Sequence, residues 1–197
     1  GEEFCYINDK FLRRRLIRQL LEIPKQKPDS IPYAARLVAM LHHKALFPDI
    51  IVALQEALDK EKQELEAHKR ASERSIVEAR KVNARYFAEL VKFRCIPSDL
   101  ALEMLKHCLD NFTNPNIEVT CAMVEGCGYF LIKGAGAEAA KRSSSMLDML
   151  VKMKNATPDM DPKLDRLVEN AVITAKPPKA MKRRVVEIPP LHEYIQD

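Results

Sequence analysis

The chain has 197 residues, 47% of them apolar, and a formal net charge of +4, which suits one domain with a sizeable core, or one domain with tails. No stretch reaches the eighteen or so apolar residues a membrane span needs, so no membrane partner is expected. A charge this mild permits an acidic or nucleic-acid partner without demanding one.

Gly1-Glu2-Glu3-Phe4-Cys5 lacks the basic flank and apolar run of a signal peptide, and Gly1 in place of Met points to an excised fragment. From Asp9 to Glu22, Phe11, Leu12, Leu16, Leu20 and Leu21 alternate at helical spacing with Arg13, Arg14, Arg15 and Arg18. A basic run of this kind is a solvated helix face or a docking patch for an acidic protein or RNA. Pro24 and Pro28 are expected to end the helix and form a stiff connector. Ile31 to Leu41 predicts a short, mostly buried helix with Pro32 in its first turn, where a missing N–H costs nothing, and His42-His43 closing it. Adjacent helical histidines point about 100° apart and cannot easily share a metal.

Pro48 opens a predicted helical region reaching about Phe93. Its stretch Asp59 to Arg74 is densely charged, with Glu56–Lys60, Glu66–Arg70 and Lys69–Glu73 at i,i+4 spacing, each contributing about 0.3 kcal/mol. In its last part Phe87, Leu90, Val91 and Arg94 share one face, which places Phe87 in the core. Pro97 stops that helix, and Ser98 or Asp99 can cap the next, whose apolar positions are Leu100, Met104, Leu105, Cys108 and Phe112. So short a turn predicts an antiparallel hairpin in which each helix covers the other's apolar face.

Asn114-Pro115-Asn116 reads as a turn. Ile117 to Lys133 then predicts a central helix, apolar nearly all round. Gly126 and Gly128 each weaken it by about 1 kcal/mol relative to alanine, which close approach of another helix would explain. Gly134-Ala135-Gly136-Ala137-Glu138-Ala139 satisfies the dinucleotide-binding G-x-G-x-x-A pattern, but the apolar run before it is helix-length and no strand accompanies it. The glycines are better read as ending one helix and turning into the next. Ala137 to Lys154 turns Met146, Leu147, Leu150 and Met153 inward, and its run Ser143-Ser144-Ser145 offers hydroxyls for phosphorylation. A last helix starts at Asp161 or Pro162 and buries Leu164, Leu167, Val168, Ala171 and Val172. Residues 1–175 read as the helical domain, and 176–197 as an extended basic tail carrying Lys179, Lys182, Arg183 and Arg184.

There is no H-E-x-x-H, no metal-ligand spacing and no phosphate-binding loop, so neither metal nor cofactor is expected. Five cysteines stand singly, which argues for a reducing compartment, cytoplasm or nucleus. No local motif gathers a nucleophile with a base, which points away from an enzyme and from a small-molecule substrate. The fold class expected is all-α: antiparallel helix pairs stacked as an α-solenoid.

Arg85-Tyr86-Phe87-Ala88-Glu89-Leu90-Val91-Lys92-Phe93 resembles the "R-F-x-G-E-L-x-K-F" helix of middle domains of the initiation-factor-four-G type, with Ala88 where many members have glycine. Ile31 to Ala39 resembles that family's "L-P-x-Y-A-R-L-V-A" helix, and the likeness continues in Glu125-Gly126-Cys127-Gly128-Tyr129-Phe130-Leu131. Arg13 to Arg18, Val168-Glu169-Asn170-Ala171 and the tail ending Pro189-Pro190-Leu191-His192-Glu193-Tyr194 look like the branch found in nonsense-mediated mRNA decay, and within it the second middle domain. The resemblance implies a HEAT-like, non-catalytic scaffold of mRNA surveillance at a cytoplasmic or perinuclear location. Its implied partners are proteins of the decay machinery, neighbouring domains of the same factor included. The alternative is an RNA-binding domain that uses its basic terminal segments, Arg13–Arg15 and Lys179–Arg184.

Overall fold

The computed structural model describes residues 9–43, 49–54, 56 and 73–178, and all regular structure among them is helical. Among the described residues eight α-helices have both ends placed, in order: α1 (Lys10–Gln26), α2 (Ile31–His43), α3 (Glu73–Lys92), α4 (Ser98–Asp110), α5 (Asn114–Met123), α6 (Tyr129–Lys133), α7 (Ala137–Asn155) and α8 (Pro162–Ala175); residues 50–54 are helical as well. A short 3₁₀ turn, Pro28–Ser30, joins α1 to α2. Most of the charged stretch after Glu56 lies outside the described residues, as do the ion pairs expected there.

Asp9 opens α1 by accepting the Leu12 N–H at 2.8 Å, which satisfies one of the free donors of the first turn. Pro24 does not end this helix. It sits in the last turn with its ring buried, and the chain stays helical to Gln26. So near the C-terminus a proline disturbs only the final turn, and burying its ring offsets part of that loss. Nor is Asn114-Pro115-Asn116 a separate turn: it is the first turn of α5, where proline's fixed φ already suits a helix.

The expected hairpin of α3 and α4 exists as a chain reversal but not as a self-covering pair. α3 ends in a Schellman-type turn. Cys95 N–H reaches back to the Leu90 carbonyl and Arg94 N–H to that of Val91, each at 2.9 Å, with Arg94 at φ 57 in the position glycine usually takes. Pro97, not Ser98 or Asp99, is the N-cap of α4, and no side chain caps it. Beyond the turn, α3 packs mainly on α5 and α2, whereas α4 packs on α5 and α7. The buried face of α4 keeps Leu105 and Cys108 of the expected set, with Met104 and Phe112 partly buried against the core; it adds Ala101, Leu102 and Leu109, whereas Leu100 is exposed. In α3, Tyr86 is buried with Leu90 and Val91, while Phe87 is only half-buried against the core.

The expected central helix is present, though not as one uniform α-helix. Between α5 and α6, Val124–Gly128 winds with π-type hydrogen bonding. Both glycines of this segment are close-approach points. A Cβ added at Gly126 would stand 2.6 Å from Ala88 Cβ of α3, and one at Gly128 would stand 2.8 Å from Ala175 Cβ of α8. The π segment is thus the axis against which α3 packs from one side and α8 from another. Gly134 and Gly136 end α6 and open α7 as the sequence suggested, with Gly136 at φ 101, so no strand–turn–helix unit exists there to hold a dinucleotide. Asp161 caps α8 through the Lys163 N–H at 2.8 Å.

Candidate functional site: the exposed faces

The cysteine thiols within the described fold are kept out of chemistry by burial. Cys95, Cys108, Cys121 and Cys127 are all free and buried. Burial, aided by the nearby Glu125 and Glu118 carboxylates, pushes the Cys121 thiol up to about 12; burial likewise carries Cys127 to about 12. Such thiols are inert as nucleophiles and as ligands. Among the described residues no group of three or more His, Cys, Asp or Glu side chains could hold a metal ion. Of the serine run, Ser143 is buried in the core with its hydroxyl unpaired, so it is closed to modification without unfolding.

The main charge networks join helix to helix. Glu118 of α5 accepts Arg74 Nη1 at 2.8 Å and Lys81 Nζ at 3.1 Å from α3. Lys81 also holds the Glu78 carboxyl below the usual carboxylate range through a hydrogen bond. Lys154 of α7 reaches Glu169 at 2.7 Å and Asp165 at 3.0 Å on α8, and the Glu169 hydrogen bond raises its pKa. Arg142 of α7 meets Asp99 of α4 at 2.7 Å.

Three further features lie on the surface. The arginine run splits by helical geometry: Arg13 is half-buried, while Arg14 and Arg15 are exposed together with Arg18. These three, with Phe11 and Gln19, line one recess on α1. Lys179, Lys182, Arg183 and Arg184 lie outside the described residues. On α2, expected to be mostly buried, Ala34, Ala35 and Val38 face the core. Tyr33, Leu37 and Met40, at i, i+4 and i+7, are 76%, 43% and 46% exposed. Ile31 and Leu41, equally large, are buried, so side-chain size in the sequence did not mark this stripe. A third feature is a recess of about 380 Å³ between the start of α2, α3 and the π segment, lined among others by Asp29, Pro32, Arg85, Glu89, Glu125 and Gly126. The three stretches that carry the family likeness meet there.

The MIF4G domain pattern matches residues 2–178. The chain belongs to the MIF4G family. It is 37% identical over 194 residues to the Arabidopsis thaliana "Regulator of nonsense transcripts UPF2", covering 98% of this chain and 16% of that protein. It is 31% identical over 195 residues to the Homo sapiens "Regulator of nonsense transcripts 2", covering 98% of this chain and 15% of that protein. The Schizosaccharomyces pombe "Nonsense-mediated mRNA decay protein 2" is 31% identical over 178 residues, covering 90% of this chain and 16% of that protein. The chain thus spans about one-sixth of the length of the curated relatives it matches.

Proposed function

We propose that this MIF4G chain is a non-catalytic scaffold domain of a nonsense-mediated mRNA decay factor, working in the cytoplasm. It braces neighbouring domains of that factor and offers docking surface to other proteins of the decay machinery, with no cofactor and no small-molecule substrate. The observation that carries this reading is the likeness, over nearly the whole chain, to relatives named as regulators of nonsense transcripts. The architecture supports it, because stacked helices leave long ridges exposed for partners. The Tyr33–Leu37–Met40 stripe is such a ridge, with i/i+4/i+7 anchor spacing. On the same motif stretches we assign the chain to the second middle domain of its parent, with residues 176–197 as a basic extension.

The test is made in cells lacking the parent factor, re-supplied with the full-length protein or with variants of it. Tyr33→Asp/Leu37→Asp should stabilise a transcript carrying a premature stop codon and reduce co-purification of the other domains, supplied separately, while the abundance of the factor stays normal. Unimpaired decay after deletion of the whole domain would rule the scaffold reading out.

A further inference from the structure

We infer that Thr157, in the loop between α7 and α8, is an acceptor for a proline-directed protein kinase, and that the phosphate it takes loosens the seam between those helices. This inference stands apart from the scaffold reading and does not rest on it.

Three observations carry it. The first is in the sequence. Thr157-Pro158 is the one place in the 197 residues where a serine or threonine directly precedes a proline. That proline removes the next backbone N–H and biases the threonine toward extended backbone, the form a kinase cleft accepts.

The second is placement. α7 ends at Asn155 and α8 begins at Pro162, so Thr157 lies outside regular helix. Ala156, Thr157, Pro158, Asp159 and Asp161 are all exposed. The run Ser143-Ser144-Ser145, by contrast, lies within α7, where helical backbone on both sides keeps it from extending. The Thr157 hydroxyl donates to the Met153 carbonyl at 3.0 Å, which leaves lone pairs on its oxygen for attack.

The third is what a phosphate would meet there. Thr157 closes the carbonyl end of α7: besides the hydroxyl bond, its N–H reaches the Lys154 carbonyl at 3.1 Å. That end of a helix carries the negative pole of its dipole. Asp159 and Asp161 add two carboxylates within the same loop. Lys154, in the last turn of α7, is already clasped by Glu169 at 2.7 Å and Asp165 at 3.0 Å on α8. Phosphorylation takes away the O–H that satisfies Met153 and sets up to about two negative charges against the helix end. The phosphate also competes with α8 for Lys154. All three changes weaken the α7–α8 seam.

The step is a phosphoryl transfer from ATP. The bond from Thr157 Oγ1 to the γ-phosphorus forms as the bond from that phosphorus to the bridging oxygen breaks. The hydroxyl proton passes to the kinase's base, and ADP leaves with the electron pair.

The experiment treats the folded 197-residue chain with a purified proline-directed kinase, ATP and magnesium, and locates phosphate by tandem mass spectrometry. Phosphate should appear on Thr157, vanish in Thr157→Ala and return in Thr157→Ser. Pro158→Ala should lose most of the incorporation while its circular dichroism spectrum stays unchanged. The phosphorylated chain should melt about 2–4 °C below the unmodified one, the shift expected for loss of one cap-strength interaction in a chain of this size. It should also melt below Thr157→Ala, which loses the same hydroxyl bond without gaining charge. That second difference should shrink in about 1 M salt, where surface charges are screened. The inference is overturned if phosphate reaches Thr157 only after the chain is unfolded, or not at all, or if Pro158→Ala is modified as fast as the parent. It is also overturned if the phosphorylated chain melts at or above the unmodified one.

Discussion

Replacing Gly126 by alanine tests the packing axis directly. In an ordinary helix the change would add up to about 1 kcal/mol of stability, because alanine loses less backbone freedom on folding. Here the new methyl would stand 2.6 Å from Ala88 Cβ, about 1 Å inside normal carbon–carbon contact. Both atoms are first side-chain carbons on helical backbone, so no rotamer change separates them. α3 and the π segment must move apart, and overpacking of this kind costs about 1–3 kcal/mol. The net expectation is a loss of about 1 kcal/mol. Ala88→Gly alone should also cost about 1 kcal/mol through helix propensity. The double variant moves the single methyl to the other side of the same contact and should sit within about 1 kcal/mol of the parent. A coupling energy above about 1 kcal/mol, from guanidinium denaturation of all four proteins followed by helical circular dichroism, is the predicted signature. Gly126→Ala that gains stability, with coupling near zero, would show that α3 and the π segment do not touch at these residues.

Two further outcomes follow from burial. Tyr86→Ala should cost about 3–5 kcal/mol, because a side chain 1% exposed leaves a cavity when truncated. Phe87→Ala, at a half-buried position, should cost less than half of that, and equal losses in denaturant titrations would return Phe87 to the core. Alkaline pH should unfold the protein early. Cys121 and Cys127 titrate near 12 when folded, against 9.0 for an unperturbed thiol. Above pH 9 the unfolded chain therefore binds fewer protons than the folded one, and stability falls as pH rises from there toward 12. Each thiol steepens the fall by up to about 1.4 kcal/mol per pH unit. Cys121→Ala/Cys127→Ala should flatten the profile between pH 9 and 11, and an unchanged slope would refute the linkage.

Much of this architecture is visible in the sequence, for reasons that can be named. The glycines at 126 and 128 cost helix stability and so demanded a compensating contact, which Ala88 and Ala175 supply. Asp161-Pro162 and Gly134 to Gly136 punctuate helices by backbone chemistry that does not depend on the rest of the fold. What misled was inference from neighbourhood along the chain. α3 and α4 are consecutive, yet α3 gives its main contact to α5. The buried face of α4 is wider than the expected set, and only its partners decided that Ala101, Leu102 and Leu109 face inward while Leu100 does not. A π turn leaves no periodic trace over five residues. At the candidate surface, composition marked the block Arg13–Arg15, while helical rotation divides it and adds Arg18 and Phe11.

The packing also explains what the family likeness is made of. Ala88 stands where many members carry glycine, and Gly126 faces it across the helix contact: the pair needs small residues because the backbones approach there. Arg85 and Glu89, one turn apart on α3, border the recess that this same contact creates, with Pro32, Glu125 and Gly126. The motif stretches thus converge on one place because they hold α2, α3 and the π segment together, a requirement of the fold and not of any partner. Family membership therefore says little about who docks where. Residues free of that requirement carry the information: Phe11, Arg14, Arg15 and Arg18 on α1, and Tyr33, Leu37 and Met40 on α2. Their side chains extend into solvent with no evident benefit to the chain's own stability, and there a partner's contacts should be sought.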